Sequence, residues 1–151
     1  MEINNNDITF LKGKRLAGID FGLKRTAIAV SDELHIAITP KKVFNTESEN
    51  FINEIIEFIL NQNIAAIVVG IPFREDKKKT DVIIAIEKFI DSLKKNIKIP
   101  IFIIDESYST VRASETMVNI GKSKKQRRIK TNKDLIAAGI ILKSFIDEYD
   151  L

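Results

Sequence analysis

Ala65-Ala66-Ile67-Val68-Val69-Gly70-Ile71 runs seven residues without a polar side chain. So short a run, apolar on both of its alternating faces, reads as a strand that must be covered on both sides. Helical periodicity brackets it. Phe51, Ile52, Ile55, Ile56 and Ile59 recur at helical spacing to about Asn61, with Ser48 offering an N-cap. Beyond Pro72 and the charged stretch from Arg74 to Lys79, Ile83, Ile86, Phe89, Ile90 and Leu93 mark a second helix from about Thr80 to Lys95. Pro100 then introduces another buried strand, Ile101-Phe102-Ile103-Ile104, which stops at Asp105-Glu106. Such alternation predicts parallel strands joined by right-handed crossovers.

The part before residue 48 has a different character. After a polar lead-in to about residue 14, short apolar runs at Arg15–Gly22, Arg25–Glu33 and Ile36–Phe44 are separated by only two residues each, Leu23-Lys24 and Leu34-His35. Strands joined so closely form an antiparallel meander, with His35 in a turn. A helix from about Ser109 to Ile120, a basic loop and a last helix from about Asn132 to Tyr149 complete the chain. The expected architecture is α/β: a mixed five-stranded sheet, three antiparallel strands then two parallel, with helices on both faces. It resembles the RNase H-like arrangement, in which the first strand pairs with the fourth and the last strand lies beside that. With 151 residues the chain suits a single domain.

Composition narrows the chemistry. There is no cysteine and only one histidine, His35, so thiolate sites and multi-histidine zinc sites are excluded. Any metal must be held mainly by oxygen, which favours magnesium or manganese. No apolar run approaches the roughly 20 residues of a membrane-spanning helix, and the N-terminus lacks a secretory pattern, so a cytoplasmic protein is expected. The net charge of +3 is unevenly spread. Lys122, Lys124, Lys125, Arg127, Arg128, Lys130 and Lys133 fall in one segment without an acid; the other 17 basic residues face 21 acidic ones. The segment reads either as a solvated loop or as a phosphate-contacting one.

Three acids end or begin elements that are otherwise apolar. Asp20 follows Leu16-Ala17-Gly18-Ile19, Glu106 lies just past Ile101–Ile104, and Asp134 directly precedes Leu135-Ile136-Ala137-Ala138. Carboxylates among apolar neighbours are costly unless paired or metal-bound. Each also has a structural account: Asp134 as a first-turn acid facing the helix dipole, Glu106 as a polar strand end, Asp20 as a satisfied turn acid. Taken together they would converge at the carboxyl ends of the parallel strands, where a divalent cation relieves their repulsion and assists phosphodiester hydrolysis. Gly22 would let backbone or phosphate approach Asp20. Whether Asp105 or Glu106 points into the site depends on strand alternation.

The motifs themselves resemble those of the YqgF/RuvX family. Gly18-Ile19-Asp20-Phe21-Gly22-Leu23-Lys24-Arg25 with Ala27-Ile28-Ala29-Val30-Ser31-Asp32 is similar to its opening motif. Ile67–Pro72, Asp105-Glu106-Ser107-Tyr108-Ser109-Thr110 and Asp134–Ala138 are similar to the next three, in order, over about residues 15–148. The resemblance implies an RNase H-like nuclease maturing the 5′ end of pre-16S ribosomal RNA, with Asp20, Glu106 and Asp134 as metal-binding catalytic acids. It also implies that Lys24 contacts substrate phosphate, as would the basic loop residues Lys122, Lys124, Lys125, Arg127, Arg128 and Lys130. Two departures stand out: Ser107 replaces the family's usual arginine, and Phe73–Lys79 replaces a glycine-containing turn.

Other functions stay open at this level. An older family assignment, Holliday junction resolvase, predicts a homodimer cleaving branched DNA, whereas RNA processing suits a monomer as well. A non-catalytic RNA- or ribosome-binding factor would keep the fold and lose the metals. Sugar kinases and actin-like ATPases share the Gly-Ile-Asp-Phe-Gly pattern, but need two such domains and phosphate loops that 151 residues do not hold.

Overall fold

A computed structural model describes residues 8–72, 80–106 and 130–151, without the side chains of Lys130 and Thr131. Five strands and three helices fall within them: β1 (Leu16–Asp20), β2 (Arg25–Ser31), β3 (Ile38–Asn45), α1 (Phe51–Asn61), β4 (Ala66–Ile71), α2 (Asp81–Asn96), β5 (Ile101–Asp105) and α3 (Lys130–Glu148). The helix expected over residues 109–120, the loop at 73–79 and most of the basic segment lie outside the described residues.

The sheet has the order β3-β2-β1-β4-β5. β1 pairs antiparallel with β2, Asp20 opposite Ala27, and parallel with β4, Ile19 opposite Val69. β5 lies parallel beyond β4, with Ile71 opposite Asp105. This is the expected mixed sheet, with the first strand against the fourth. The outermost β3 starts two residues later than the sequence suggests, at Ile38, and its pairing shifts register between Ile28 and Ala29, opposite Pro40. Proline has no N–H to donate, so an edge strand is where a sheet tolerates it. His35 does occupy a turn: its φ is +58°, and its Nε2 lies 2.6 Å from the carbonyl oxygen of Lys14.

Strand alternation divides the core in two. Ala17 and Ile19 of β1, with Ile67 and Val69 of β4, face α1 and α2. Leu16 of β1, with Ala66 and Val68 of β4 and Phe102 and Ile104 of β5, packs against Ile141, Leu142 and Phe145 of α3. The doubly apolar β4 is thus buried on both sides by helices. α2 begins after Thr80, whose Oγ1 caps it by accepting from the Ile83 amide at 3.3 Å. α1 is not: it starts at Phe51 after Asn50, and Ser48 instead accepts from the Asn50 amide at 3.3 Å in the preceding turn.

The expected polar lead-in also differs. Ile8 precedes and Leu11 ends a short 3-10 turn (Thr9–Leu11), and both are almost fully buried with the α3 face. Three apolar residues, Ile8, Phe10 and Leu11, are too few to show a period, and Phe10 is exposed while the other two are buried. Among the described residues no helix is long and apolar enough to cross a membrane.

Candidate active site

β1 brings the first acid to the α3 side of the sheet. Leu16 and Gly18 point that way, and Asp20, two residues on, continues the same face, while its neighbour Phe21 joins the opposite core. Gly18 permits this layer to be thin. A Cβ there would stand 2.6 Å from the Ala138 carbonyl oxygen and 2.7 Å from Leu142 Cβ, so only hydrogen lets α3 lie so close. At Gly22 it is backbone that comes close, one of the two expected alternatives. The glycine's Cβ position is filled by the Arg25 carbonyl oxygen, so it closes the β1–β2 turn and leaves no room there for a ligand.

Glu106 arrives from β5. Its amide donates to the Ile71 carbonyl at 2.9 Å, extending the β4–β5 pairing by one residue. Its side chain crosses Gly70, where a Cβ would overlap Glu106 Cγ and Ile141 Cδ1. Gly70 therefore provides the channel through which the carboxylate reaches Asp20. Sequence reasoning quoted Gly70 in a motif without a role; the signal was a lone glycine inside a buried strand, a mark of close approach.

The Asp20 and Glu106 carboxyls share a hydrogen bond. Burial, the Glu106 charge, that hydrogen bond and the Asp134 charge together push the Asp20 carboxyl from 3.8 up to about 8. Glu106 is raised as well, chiefly by burial; the hydrogen bond with Asp20 opposes this, and the Asp105 charge adds to it. The acid that meets Asp20 is therefore Glu106. Asp105 lines the adjacent cleft and acts on Glu106 through its charge.

Asp134 stands on α3, which already includes Lys130, so it is not a first-turn acid facing the dipole. It lies near enough to raise Asp20, and it is held by Arg25, Nε to Oδ2 at 3.0 Å, in a half-buried ion pair. Arg25 was not singled out beforehand. Its register offered a clue: it precedes Ala27 and Ala29 by steps of two, and both alanines pack against Ala138 of α3. Among the described residues no group of three acids or histidines is arranged to hold a metal ion. Asp20 and Glu106 are in contact; Asp134 is engaged by Arg25.

A cleft of about 180 Å³ opens beside the acids, lined by Asp20, Ile104, Asp105, Glu106 and one face of α3, from Ala137 through Ile140 and Ile141 to Ser144. Lys24 is exposed in the turn that follows Asp20, where its carbonyl accepts from the Thr46 amide at 3.0 Å. Lys130 opens α3. Lys122, Lys124, Lys125, Arg127, Arg128 and Ser107 lie outside the described residues.

Residues 14–148, which carry all four motifs, match the family described as "RuvX: Holliday junction resolvase". The chain belongs to the RuvX family. A protein of Amoebophilus asiaticus named "Putative pre-16S rRNA nuclease" is 36% identical over 136 residues, covering 89% of this chain and 95% of that one. One of Mycoplasma mobile with the same name is 39% identical over 138 residues, covering 89% and 93%. Among solved structures, the fold is similar to Thermus thermophilus RuvC in complex with a Holliday junction substrate, with TM-score 0.58, 14% identity, and 89% and 95% coverage. The fowlpox virus resolvase with Holliday junction DNA superposes with TM-score 0.57 at 11% identity, covering 89% and 97%. At such identities these two neighbours establish the RuvC-like RNase H fold of this RuvX member and nothing finer.

Proposed function

We propose that this RuvX-family chain is a metal-dependent nuclease that hydrolyses phosphodiester bonds in structured RNA, trimming the 5′ end of pre-16S ribosomal RNA during ribosome assembly. The observation that carries the reading is the Asp20–Glu106 contact with Asp134 nearby. A fold does not bring half-buried acids together, one of them pushed up to about 8, for stability's sake. Three carboxylates and no cysteine form a hard-oxygen donor set, which fits Mg2+ or Mn2+ held by Asp20, Glu106 and Asp134. Such an ion, when bound, supplies an activated water and charge stabilisation for the leaving oxygen.

The chain's own residues do the rest. Asp20 and Glu106, the latter confined over Gly70, would offer their carboxylates to the ion from one point, with Asp134 beside them. Lys24, exposed beside the first acid, and the basic residues from Lys122 to Lys130 hold the phosphate backbone. The RNA substrate follows the relatives at 36–39% identity. The family description and the two resolvase neighbours favour a second reading, dimeric cleavage of branched DNA. Sequence similarity over most of the chain outweighs likeness of fold at 11–14% identity.

The test compares wild type with Asp20→Asn on a precursor-rRNA fragment and on a four-way DNA junction, with and without Mg2+. Metal-dependent cleavage of the RNA, reduced on the order of 10²–10³-fold in the variant, is expected. Equal product from both proteins would overturn the nuclease reading, and cleavage of the junction alone would replace RNA with branched DNA.

A further inference from the structure

We propose that Arg25 is a ligand for substrate phosphate, which Asp134 holds in reserve until a divalent cation takes its place. This rests on the metal-nuclease reading above and assigns a substrate contact within the same site.

Arg25 occupies the first position of β2, immediately after the turn that carries Lys24, and on the sheet face that presents Asp20. Its guanidinium is half-exposed, so it can meet a polymer that approaches from solvent. It binds Asp134 through Nε alone among the described residues, whereas a guanidinium carries five donors in a planar fork suited to two phosphate oxygens. Asp134, for its part, is committed to Arg25 and is not grouped with Asp20 and Glu106 as a ready ion site. One cation therefore stands where another would be needed. The arginine and the divalent ion compete for a single carboxylate, and the ion, with twice the charge, displaces the arginine. The released guanidinium then lies beside the acids on the side from which a phosphodiester must approach. Metal loading and phosphate recognition become one exchange: Asp134 passes from Arg25 to the ion, and Arg25 passes from Asp134 to the substrate.

The exchange predicts effects of opposite sign. Arg25→Met removes the competitor, so Mn2+ titrated into the nucleic-acid-free protein by calorimetry should bind roughly fivefold tighter than to wild type. The same variant should lose one phosphate contact. In anisotropy titrations of a single-stranded RNA with Ca2+ present, its salt slope should be shallower by about 0.7. In EDTA, where Arg25 is tied to Asp134, the slopes of wild type and variant should coincide. Arg25→Lys keeps a mobile cation and should restore the slope in Ca2+. A purely structural Arg25 would lower the melting temperature but leave slopes unchanged in both buffers, and that result overturns the proposal. So does Mn2+ binding that is unchanged or weaker in Arg25→Met. If wild type takes up no Mn2+, or Asp20→Asn takes up as much, the metal reading fails first and the exchange falls with it.

Discussion

The two faces of the sheet are built on different rules. Toward α1 and α2 the layer is thick and aromatic. Phe21, Phe51 and Phe89 contact one another with centroids 5.0–6.3 Å apart, and Phe44 adds edge contacts to Phe51 and Phe58. Toward α3, Phe102, Phe145 and Tyr149 make a second aromatic group with centroids 4.9–5.2 Å apart, but against β1 and β2 the layer thins to Gly18, Ala27, Ala29 and Ala138. Large rings fill space and add stability. Small residues bring a helix backbone close, and that closeness carries Asp134 to Asp20. Both faces therefore supply folding free energy, and only the α3 face spends part of it on clustered charge. The division runs through a single dipeptide: Asp20 belongs to the second face and Phe21 to the first.

The largest expected effect breaks the aromatic face. Phe44 is 2% exposed and stands away from the acids, so Phe44→Ala should cost about 3–5 kcal/mol in urea unfolding. Cleavage by the molecules that stay folded should change little. A comparable loss of activity per folded molecule would mean that the two faces are not separable. Next comes Gly18→Ala on the thin face. The added methyl meets the Ala138 carbonyl and the Leu142 Cβ, neither of which is a flexible chain end, so α3 must shift. A stability loss of about 1–3 kcal/mol is expected. Because α3 carries Asp134, activity should fall about tenfold or more beyond what unfolding explains. If activity merely follows stability, the close approach serves packing alone.

The sheet, its helices and the two acids in contact were legible in the sequence; the unequal build of the two faces was not. The apolar runs that become β1, β4 and β5 announced their burial through composition, and the order of strands and helices restricted the sheet to a few topologies. Asp20 and Glu106 were conspicuous because each interrupts or ends an apolar run. What escaped notice depended on distance in the chain or on missing side chains. Arg25 and Asp134 are 109 residues apart, and no local pattern links them. Gly70 acts through the space it leaves for Glu106, which becomes visible only when β5 lies beside β4. Ser48 had the chemistry of an N-cap but sits two residues ahead of Asn50, a shift that local sequence cannot resolve. Ile8 and Leu11 read as part of a polar lead-in because burial of single residues has no period.

The smallest effect sharpens the comparison most, because it measures what the thin face gives up. In metal-free protein the Asp20 carboxyl keeps its proton to about pH 8, against an ordinary value of 3.8. Below pH 4 the group is protonated in folded and unfolded chains alike. Between pH 4 and 8 the unfolded chain releases the proton and the folded chain retains it. Stability present at pH 4 is therefore lost progressively as pH rises, and the loss is complete only above pH 8. Asp20→Asn removes this dependence. In EDTA the variant should melt several degrees above wild type at pH 8, with the gap closing toward pH 5. Mg2+ at pH 8 should raise wild type toward the variant and leave the variant itself unmoved, since the ion would do the work of the proton. A wild-type melting temperature that rises with pH relative to Asp20→Asn would mean that Asp20 is stabilised by its surroundings. The acids would then be only a polar rim of the packed α3 core, and not the place where this fold gives up stability to hold charge.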